Sequence, residues 1–529
     1  MVIIRRLAPS SLVLMSISDP TDRRYLKKLA MQLIQYKKYI GAALLCLWLS
    51  SCSKDFLNVQ PNNFIPEERF YKTDEDAIQA VTAAYQPLQV IYNGAAWHLG
   101  DIMSDDTDLG GGGGGDGLET AELDNFSVTP FNPVVSLMWK QCYIGIFRAN
   151  LVINKIPTIT TISEPIRKRT VGEAYFLRAY YYYQLVRLFG KVPLITTVLT
   201  DAESRQVERA EINQIYDLIK QDLAKAANDL PNNYGGDDLG RATWGAAKGV
   251  LASVYLTLKD KPNAATTARQ VIDAGIYHLN DNYGWNFDLL HENSDESLFE
   301  VQYRNGGEQW SDNGPGQKMN CFFAPRDQNV VQSEGYGWNI PTEDLVSKFE
   351  RDGSGNIKDK RRPASMWMPG DKFGNYTQPD NLVGSPRGYN IRKYFVPASN
   401  TSGDGGGWSC ALNVPVMRYS EVLLIYAEAA GPGAGKPYVD EVRARAGLDP
   451  LPAGLSDAAY LEKIYLERRV EFAFEMHRWY DLLRHPDPNY FINVMKASGK
   501  TNITAKHRFM PIPQGERDVN SRLTQNDGY

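Results

Sequence analysis

Cysteine and histidine are both scarce in this chain, with five and six copies among 529 residues. No two cysteines stand in C-x-x-C spacing, and no two histidines stand in H-x-H or H-x-x-x-H spacing, so neither a zinc site nor a histidine-based catalytic framework is indicated. Cys142, Cys321 and Cys410 remain once Cys46 and Cys52 are assigned to an N-terminal signal. An odd number excludes a complete disulfide framework, although one pair among the three could be bridged.

An excess of basic side chains is also missing. Residues 1–51 contain eight Lys or Arg and two Asp or Glu, which leaves 49 basic against 60 acidic side chains in residues 52–529. Such a chain lacks the basic face that nucleic acid binding requires. After residue 51 no apolar run is long enough to span a bilayer, while the remaining 478 residues are enough for a large core.

The N-terminal segment has the pattern of a bacterial lipoprotein signal. Two lysines precede an apolar run at 40–49, which is too short to cross a bilayer but suits the core of a secretory signal. The run ends in "LSSC", which resembles a lipobox and predicts lipidation of Cys52 as the first mature residue. An ordinary leader with an incidental cysteine is the alternative. We interpret 1–30 as an over-extended start and 31–51 as the signal peptide.

Residues 52–274 have the periodicity of helices. Thr73 and Asp76 stand in capping-box spacing, and further helices are predicted by apolar stripes such as Ala174, Leu177, Tyr181, Leu185 and Leu188. Gly190 and Pro193 end that stripe. Successive helix pairs with small and aromatic contact residues are similar to tetratricopeptide repeats, although no 34-residue register is present. A helical first half of the mature chain is therefore predicted.

Residues 275–529 form a second region that starts irregularly. The stretch 275–415 is rich in Gly, Asn, Asp and aromatic residues with little periodicity, and helical patterns return after it. A stretch this long without regular structure is usually functional.

Aromatic side chains in such segments are candidates for ligand contact. Sugars lay their C–H faces on aromatic rings, while carboxylates, amides and guanidinium groups bond their hydroxyls. Burial in the core is the equally common alternative for each ring taken singly. Trp310 is the preferred candidate because its neighbours are polar and turn-forming. The full set of ligand-binding candidates is Trp97, Trp285, Trp310, Tyr336 and Trp338, with Asp312 and Asn313 beside Trp310.

Two charged segments allow both a chemical and a structural interpretation. Asp105, Asp106 and Asp108 precede six consecutive glycines, where a solvated flexible loop is favoured and a calcium site is the weaker alternative, because the spacing is not that of a calcium loop. In "ERRVEFAFEMHRWYD", acidic residues and Arg478 recur at helical spacing. There a packed ion-pair network is favoured over acid/base catalysis.

Eight segments in order along the chain resemble the SusD/RagB family of outer-membrane lipoproteins. They are "SCSKDFLNVQP", "GEAYFLRAYYYYQLVRLFGKVPL", "GRATWGAAKGVLASVYL", "SDESLFEVQY", "GWNIPTEDLVSKFE", "RYSEVLLIYAEA", "ERRVEFAFEMHRWYDLLR" and "PIPQGERDVNSRLTQNDGY". The resemblance implies an all-α body with tetratricopeptide-like helix pairs that carries a less regular ligand-binding region. It also implies nutrient binding at the cell surface and a SusC-like TonB-dependent barrel as partner.

A lipid-anchored glycan-binding protein without catalytic activity or cofactor is the function that this resemblance favours. RagB-like peptide binding is the first alternative, because those members are similar in sequence. A surface glycoside hydrolase is the second, and it would need two carboxylates flanking one cleft.

Overall fold

The computed structural model describes most of the chain after residue 69. The described ranges are 70–306, 314–328, 330–331, 334–398 and 409–529, with a few helical positions between 24 and 36. Cys52, Trp310, Asp312 and Asn313 lie outside them. Tyr71–Tyr529 makes up one compact unit, and everything below concerns that unit.

Helices supply most of the regular structure. Their bounds are α1 Asp74–Asn93, α2 Ala95–Trp97, α3 Leu118–Asp124, α4 Pro133–Lys155, α5 Glu164–Phe189, α6 Asp201–Ser204, α7 Ile212–Asp229, α8 Trp244–Thr257, α9 Lys261–Asp273, α10 Met319–Phe323, α11 Glu343–Lys348, α12 Arg362–Ser365, α13 Tyr419–Arg445, α14 Asp457–Glu471, α15 Arg478–Arg484, α16 Tyr490–Ala497 and α17 Gln514–Val519. A π-helix, His98–Ile102, directly follows α2.

The long helices pack in series, which confirms the predicted tetratricopeptide-like pairs. Helix α4 packs on α1 and α5, α7 packs on α5 and α8, and α9 joins α8 to α13. Helix α13 in turn packs on α14. The predicted stripe on α5 is buried, but so are Tyr180, Tyr182 and Tyr183 on its other faces. A helix buried all round is a core element, because no polar face is left for solvent.

Local signals place the helix ends where the sequence predicted them. Thr73 and Asp76 form both hydrogen bonds of the capping box at the start of α1. Gly190 follows the last residue of α5 with φ +68°, a conformation that glycine adopts without steric cost. Gly275 does the same after α9, with φ +62°.

The strands are short and form antiparallel pairs. They are β1 Thr107–Gly110 with β5 Trp338–Pro341, β2 Val192–Pro193 with β3 Arg209–Ala210, β4 Ser297–Val301 with β10 Val414–Arg418, β6 Met366–Trp367 with β9 Asn390–Ile391, and β7 Lys372–Phe373 with β8 Tyr376–Thr377. Most of them lie within 275–415, which is therefore built of turns and two-stranded pairs. The β1–β5 pair links this region to the loop after the π-helix, with Gly110 opposite Trp338.

The acidic residues near the C-terminus belong to a buried ion-pair network, but one continuous helix does not carry them. Helix α14 ends at Glu471, and Phe474 and Met476 take positive φ values of 66° and 62° before α15 begins. Glu471 is fully buried and contacts three arginines, Arg361, Arg418 and Arg445. The prediction of continuous helical structure is thus wrong beyond Glu471, whereas the predicted packed ion-pair network is present.

Two further features concern membrane-spanning helices and the cysteine side chains. In the described part of the chain no helix has the length and apolarity needed to cross a membrane. Cys142, Cys321 and Cys410 are all buried, and no disulfide bond joins any two of them.

Candidate functional site

A cluster of aromatic rings lies where β5 begins. The Trp338 ring packs against Phe322 of α10 and Tyr336, with ring centroids 5.0 and 5.2 Å apart. Trp97 lies behind Trp338, with nearly parallel rings at 6.4 Å, and Phe323 meets Trp97 edge-on at 5.3 Å. Tyr336 and Trp338 remain half-buried, so they form the accessible front of the cluster.

An ion pair borders this front. The indole Nε1 of Trp338 donates a hydrogen bond of 3.1 Å to Asp116 Oδ2, which also accepts from the Gly112 amide at 2.9 Å. Arg326 Nη1 pairs with the same carboxylate. Partial burial acts to raise the pKa of Asp116, but these three donors hold it below its usual range. Asp116 therefore stays ionised at neutral pH.

Some of the glycines after β1 are required for packing, because no side chain would fit in their place. A Cβ at Gly111 would lie 2.3 Å from Trp338 Cδ1, and one at Gly384 would lie 1.9 Å from the Gly111 carbonyl oxygen. The prediction of a flexible solvated loop is thus wrong at Gly111, which has φ +56° and packs under the indole. The prediction fits Gly113 and Gly115 better, because a Cβ added there would meet nothing within 4 Å.

This arrangement has the components of a saccharide site. The Tyr336 and Trp338 rings offer surfaces for sugar C–H groups, and both rings are held by protein on their inner sides. Arg326 and Asp116, with side chains 21% and 28% exposed, supply donors and acceptors for hydroxyl groups at the rim. Rigid rings and a fixed ion pair lower the entropy lost on binding.

Trp97 contributes to this site from within the core. It is only 1% exposed. The His98 ring stacks on the Trp97 ring, with centroids 3.5 Å apart. The indole Nε1 of Trp97 donates a hydrogen bond to the Asn93 carbonyl oxygen. The predicted ligand contact by Trp97 is therefore wrong, because the buried ring instead supports Trp338 from behind. Burial lowers the pKa of His98 to about 4, although the Gly94 carbonyl acts to raise it, so the ring next to Trp97 is neutral.

Trp285, another aromatic candidate, is not joined to this cluster by a described contact. It lies in the short 3₁₀ helix Tyr283–Phe287, where it is 37% exposed and stacks on His291 at 4.6 Å. Trp310, with Asp312 and Asn313, lies outside the described residues, so its assignment stays a prediction.

The calcium candidates have other partners. Asp105 binds both Nε and Nη2 of Arg478, at 2.8 and 2.9 Å. Asp106 pairs with Arg469. Burial acts to raise the pKa of Asp105, but Arg478 and Arg469 hold it well below its usual range. Asp108 is separate, on β1, opposite Ile340.

The carboxylates of Asp105 and Asp106 are thus engaged by guanidinium groups and not arranged around a cation. No group of three or more His, Cys, Asp or Glu side chains is placed to hold a metal ion in the ranges that the structure describes.

Arg326 is the site residue that sequence reasoning missed. It sits in "APRDQN", which carries no motif, and its partner Asp116 is 210 residues earlier. Asp116 directly follows the six glycines and carries no motif of its own either. The pairing depends on the β1–β5 register, which nothing in the local sequence specifies.

The fold and this cluster together describe a helical protein with a half-buried aromatic platform at its surface. Residues 295–529 match the family described as "SusD family", and residues 55–256 match one described as "Starch-binding associating with outer membrane". The SusD-like protein P2 of Formosa agariphila is 31% identical over 93% of this chain and 100% of that protein. A SusD-like protein of Bacteroides ovatus is 29% identical over 88% of this chain and 86% of that protein. The chain therefore belongs to the SusD family.

Solved structures show the same architecture. A laminarin-binding SusD-like protein superposes with a TM-score of 0.76 at 29% identity, covering 87% of this chain and all of the other. Surface glycan-binding protein A from Bacteroides thetaiotaomicron in complex with laminarihexaose gives a TM-score of 0.73 at 25% identity, over 86% and 100% of the two chains. The predicted all-α fold class and the family are thus confirmed.

Proposed function

We propose that this protein is a glycan-binding lipoprotein of the cell surface, which captures oligosaccharide on the Tyr336–Trp338 platform. The single observation that carries the proposal is the pair of half-buried rings bordered by the Asp116–Arg326 ion pair. Ring faces beside fixed polar groups suit a ligand that is apolar on its faces and polar at its edges, as a pyranose is.

A β-glucan of the laminarin type is the ligand class that we propose first. Its support is the pair of structural relatives whose names state laminarin or laminarihexaose binding. An extended neutral glucan would lie across Tyr336 and Trp338 and bond Arg326 and Asp116 through its hydroxyl groups. We propose no catalytic step, because Asp116 is ionised and tied to Arg326 and so is no proton donor.

Anchoring and delivery complete the proposal. Lipidation at Cys52 would hold the body on the outer membrane, and a SusC-like TonB-dependent barrel would take up the captured glycan. We expect the protein to copurify with such a barrel from outer membrane solubilised in mild detergent. We also expect deletion of the barrel to stop growth on the glycan without reducing its binding at the surface. Recovery of the protein alone, with normal uptake in the deletion strain, would contradict the delivery role.

Calorimetry with laminarihexaose tests the binding site. Replacing Trp338 by Ala should remove roughly 1–3 kcal/mol of binding free energy, the scale of one buried ring. Trp285→Ala is the matched control, because it removes an indole that has no described contact with the platform, and it should leave affinity unchanged. A panel of other glycans and of peptides, with an assay for new reducing ends, separates binding of glucan from peptide binding and from hydrolysis.

Two results would count against this function. Equal affinity of the wild type and Trp338→Ala, with unchanged melting temperatures, would remove the platform from the binding site. Saturable binding of peptides in the absence of any glycan binding would assign the protein to peptide uptake.

A further inference from the structure

A second cleft lies between α14 and α16, separate from the aromatic platform. Its volume is about 510 Å³, within the range of small-ligand sites. Leu466, Val494 and Ala497 contribute apolar wall, and Arg478 lies at the base with only 8% of its surface exposed. The β1–β5 pair separates the two sites, because Asp105 precedes its Thr107 end while Trp338 begins its other end.

The acceptor groups of this cleft are already engaged. Both carboxylate oxygens of Asp105 accept from Arg478. Asp344 binds Lys348 through Oδ1 and Arg469 through Oδ2, at 2.8 Å each. Glu462 also lines the cleft, with an exposed side chain whose Oε1 lies 3.3 Å from His485 Nε2.

Three donor groups of the cleft, in contrast, have no partner among the described residues. Arg478 uses Nε and Nη2 for Asp105, so its Nη1 is the nitrogen without a partner among the described residues. The Tyr490 hydroxyl and the Lys463 ammonium also line the cleft, and the described ranges offer neither of them a hydrogen bond or ion pair. Arg478 Nη1 is not among the fully enclosed nitrogen atoms that lack a partner, so it is open to the cleft, where a ligand or water can supply an acceptor.

We propose that this cleft binds the carboxylate of an acidic saccharide residue, such as a uronic acid. The three donors of Arg478, Tyr490 and Lys463 take the carboxylate, and the sugar ring lies on the apolar wall. Lys348, Lys463, Arg469 and Arg478 outnumber Asp105, Asp344 and Glu462 by one positive charge. The saccharide part rests on the proposed glycan-binding function, whereas the carboxylate part rests on the unmatched donors alone.

Ligand-observed NMR with sodium D-glucuronate tests the proposal, with D-glucose as the matched neutral sugar and sodium acetate as the matched free carboxylate. Glucuronate should bind saturably in the millimolar range, glucose should not, and acetate should bind more weakly. Binding should weaken in high salt, because an ion pair at an open cleft is screened.

Two mild variants locate the site without touching the Asp105–Arg478 pair. Tyr490→Phe removes only the hydroxyl, and Lys463→Gln removes an exposed charge. Each should weaken glucuronate binding roughly threefold or more, with unchanged melting temperature. Lys261→Gln, at an exposed lysine of α9, should change nothing.

The outcomes separate this site from the platform. Trp338→Ala should keep glucuronate binding, and Lys463→Gln should keep laminarihexaose binding. Absence of glucuronate binding, equal binding of glucose, or equal effects of Lys463→Gln and Lys261→Gln would each overturn the cleft proposal. Equal affinity for acetate would overturn its saccharide part. Loss of laminarihexaose binding alone would count only against the proposed function.

Discussion

Trp338 and Asp116 are 222 residues apart in sequence, and a 3.1 Å hydrogen bond from the indole Nε1 to the carboxylate joins them. This hydrogen bond fixes the orientation of the indole, which packs against Gly111 at the end of the β1–β5 pair. Because the ring is oriented in the unbound protein, little ordering entropy would be lost if the proposed glycan bound there. The glycine-rich loop thus holds one ring of the proposed platform in place.

Gly111→Ala should weaken glycan binding by about tenfold or more. The new methyl group would lie 2.3 Å from Trp338 Cδ1, at a residue with φ +56°, so the indole must move and the backbone is strained. Calorimetry with laminarihexaose measures the loss. Gly115→Ala is the matched control, because its Cβ would meet nothing within 4 Å. Equal affinities of the two variants would show that the indole position does not decide binding.

The parts of this structure that could be predicted are those that depend on neighbours in sequence. The Thr73 capping box and the end of α5 at Gly190 follow from a few adjacent residues. The Trp338 site does not, because Asp116 and Arg326 meet only through strand pairing over about 200 residues. Ligand contact by Trp97 was a wrong prediction because an aromatic residue in such a sequence suits the core and a ligand site equally well.

Glu471→Gln should lower the free energy of unfolding by about 3–5 kcal/mol, the usual cost of breaking a buried ion pair. Arg361, Arg418 and Arg445 all contact this carboxylate in the interior. Chemical denaturation at pH 7 measures the effect. Asp273→Asn, which breaks an exposed pair with Arg269, should change stability little. Similar small losses in both variants would mean that the buried network contributes no more than a surface pair.

The same ion-pair network determines the pH range in which Glu471→Gln loses stability relative to the wild type. Burial acts to raise the pKa of Glu471, but the three arginines hold it well below its usual value of 4.5. A depressed carboxyl pKa contributes stability that is present above the unfolded pKa and is lost as pH falls through the folded one. The difference between Glu471→Gln and the wild type should therefore be constant above about pH 5.5 and shrink below pH 4.5.

Asp101→Asn should become more stable relative to the wild type as pH rises. Asp101 is 2% exposed, and burial raises its pKa from 3.8 to about 8, although bonds from Asn339 and Met476 act in the opposite direction. The folded protein therefore keeps a proton that the unfolded chain releases. Between about pH 4 and 8 this carboxyl lowers stability as pH rises, by up to about 1.4 kcal/mol per pH unit.

Denaturation of both proteins at about pH 5, 6.5 and 8 checks this sign. Asn removes the titration, so the difference should grow in favour of the variant up to about pH 8 and then level off. The other groups titrate in both proteins, so the difference between them isolates Asp101. Parallel stability curves across this range would show that Asp101 is ionised in the fold.

Cys52→Ala should release a folded protein from the membrane fraction. The lipobox pattern predicts lipidation of Cys52, and each buried methylene of the proposed acyl chains would contribute roughly 0.8 kcal/mol to anchoring. The described part of the chain offers no spanning helix in its place. Fractionation should be done in a strain without the partner barrel, since binding to the barrel would retain the variant. Cys46→Ala, six residues earlier inside the apolar run, is the matched control and should stay in the membrane fraction. If Cys52→Ala is retained there as well, the lipid anchor is wrong, and another segment outside the described residues must hold the protein on the membrane.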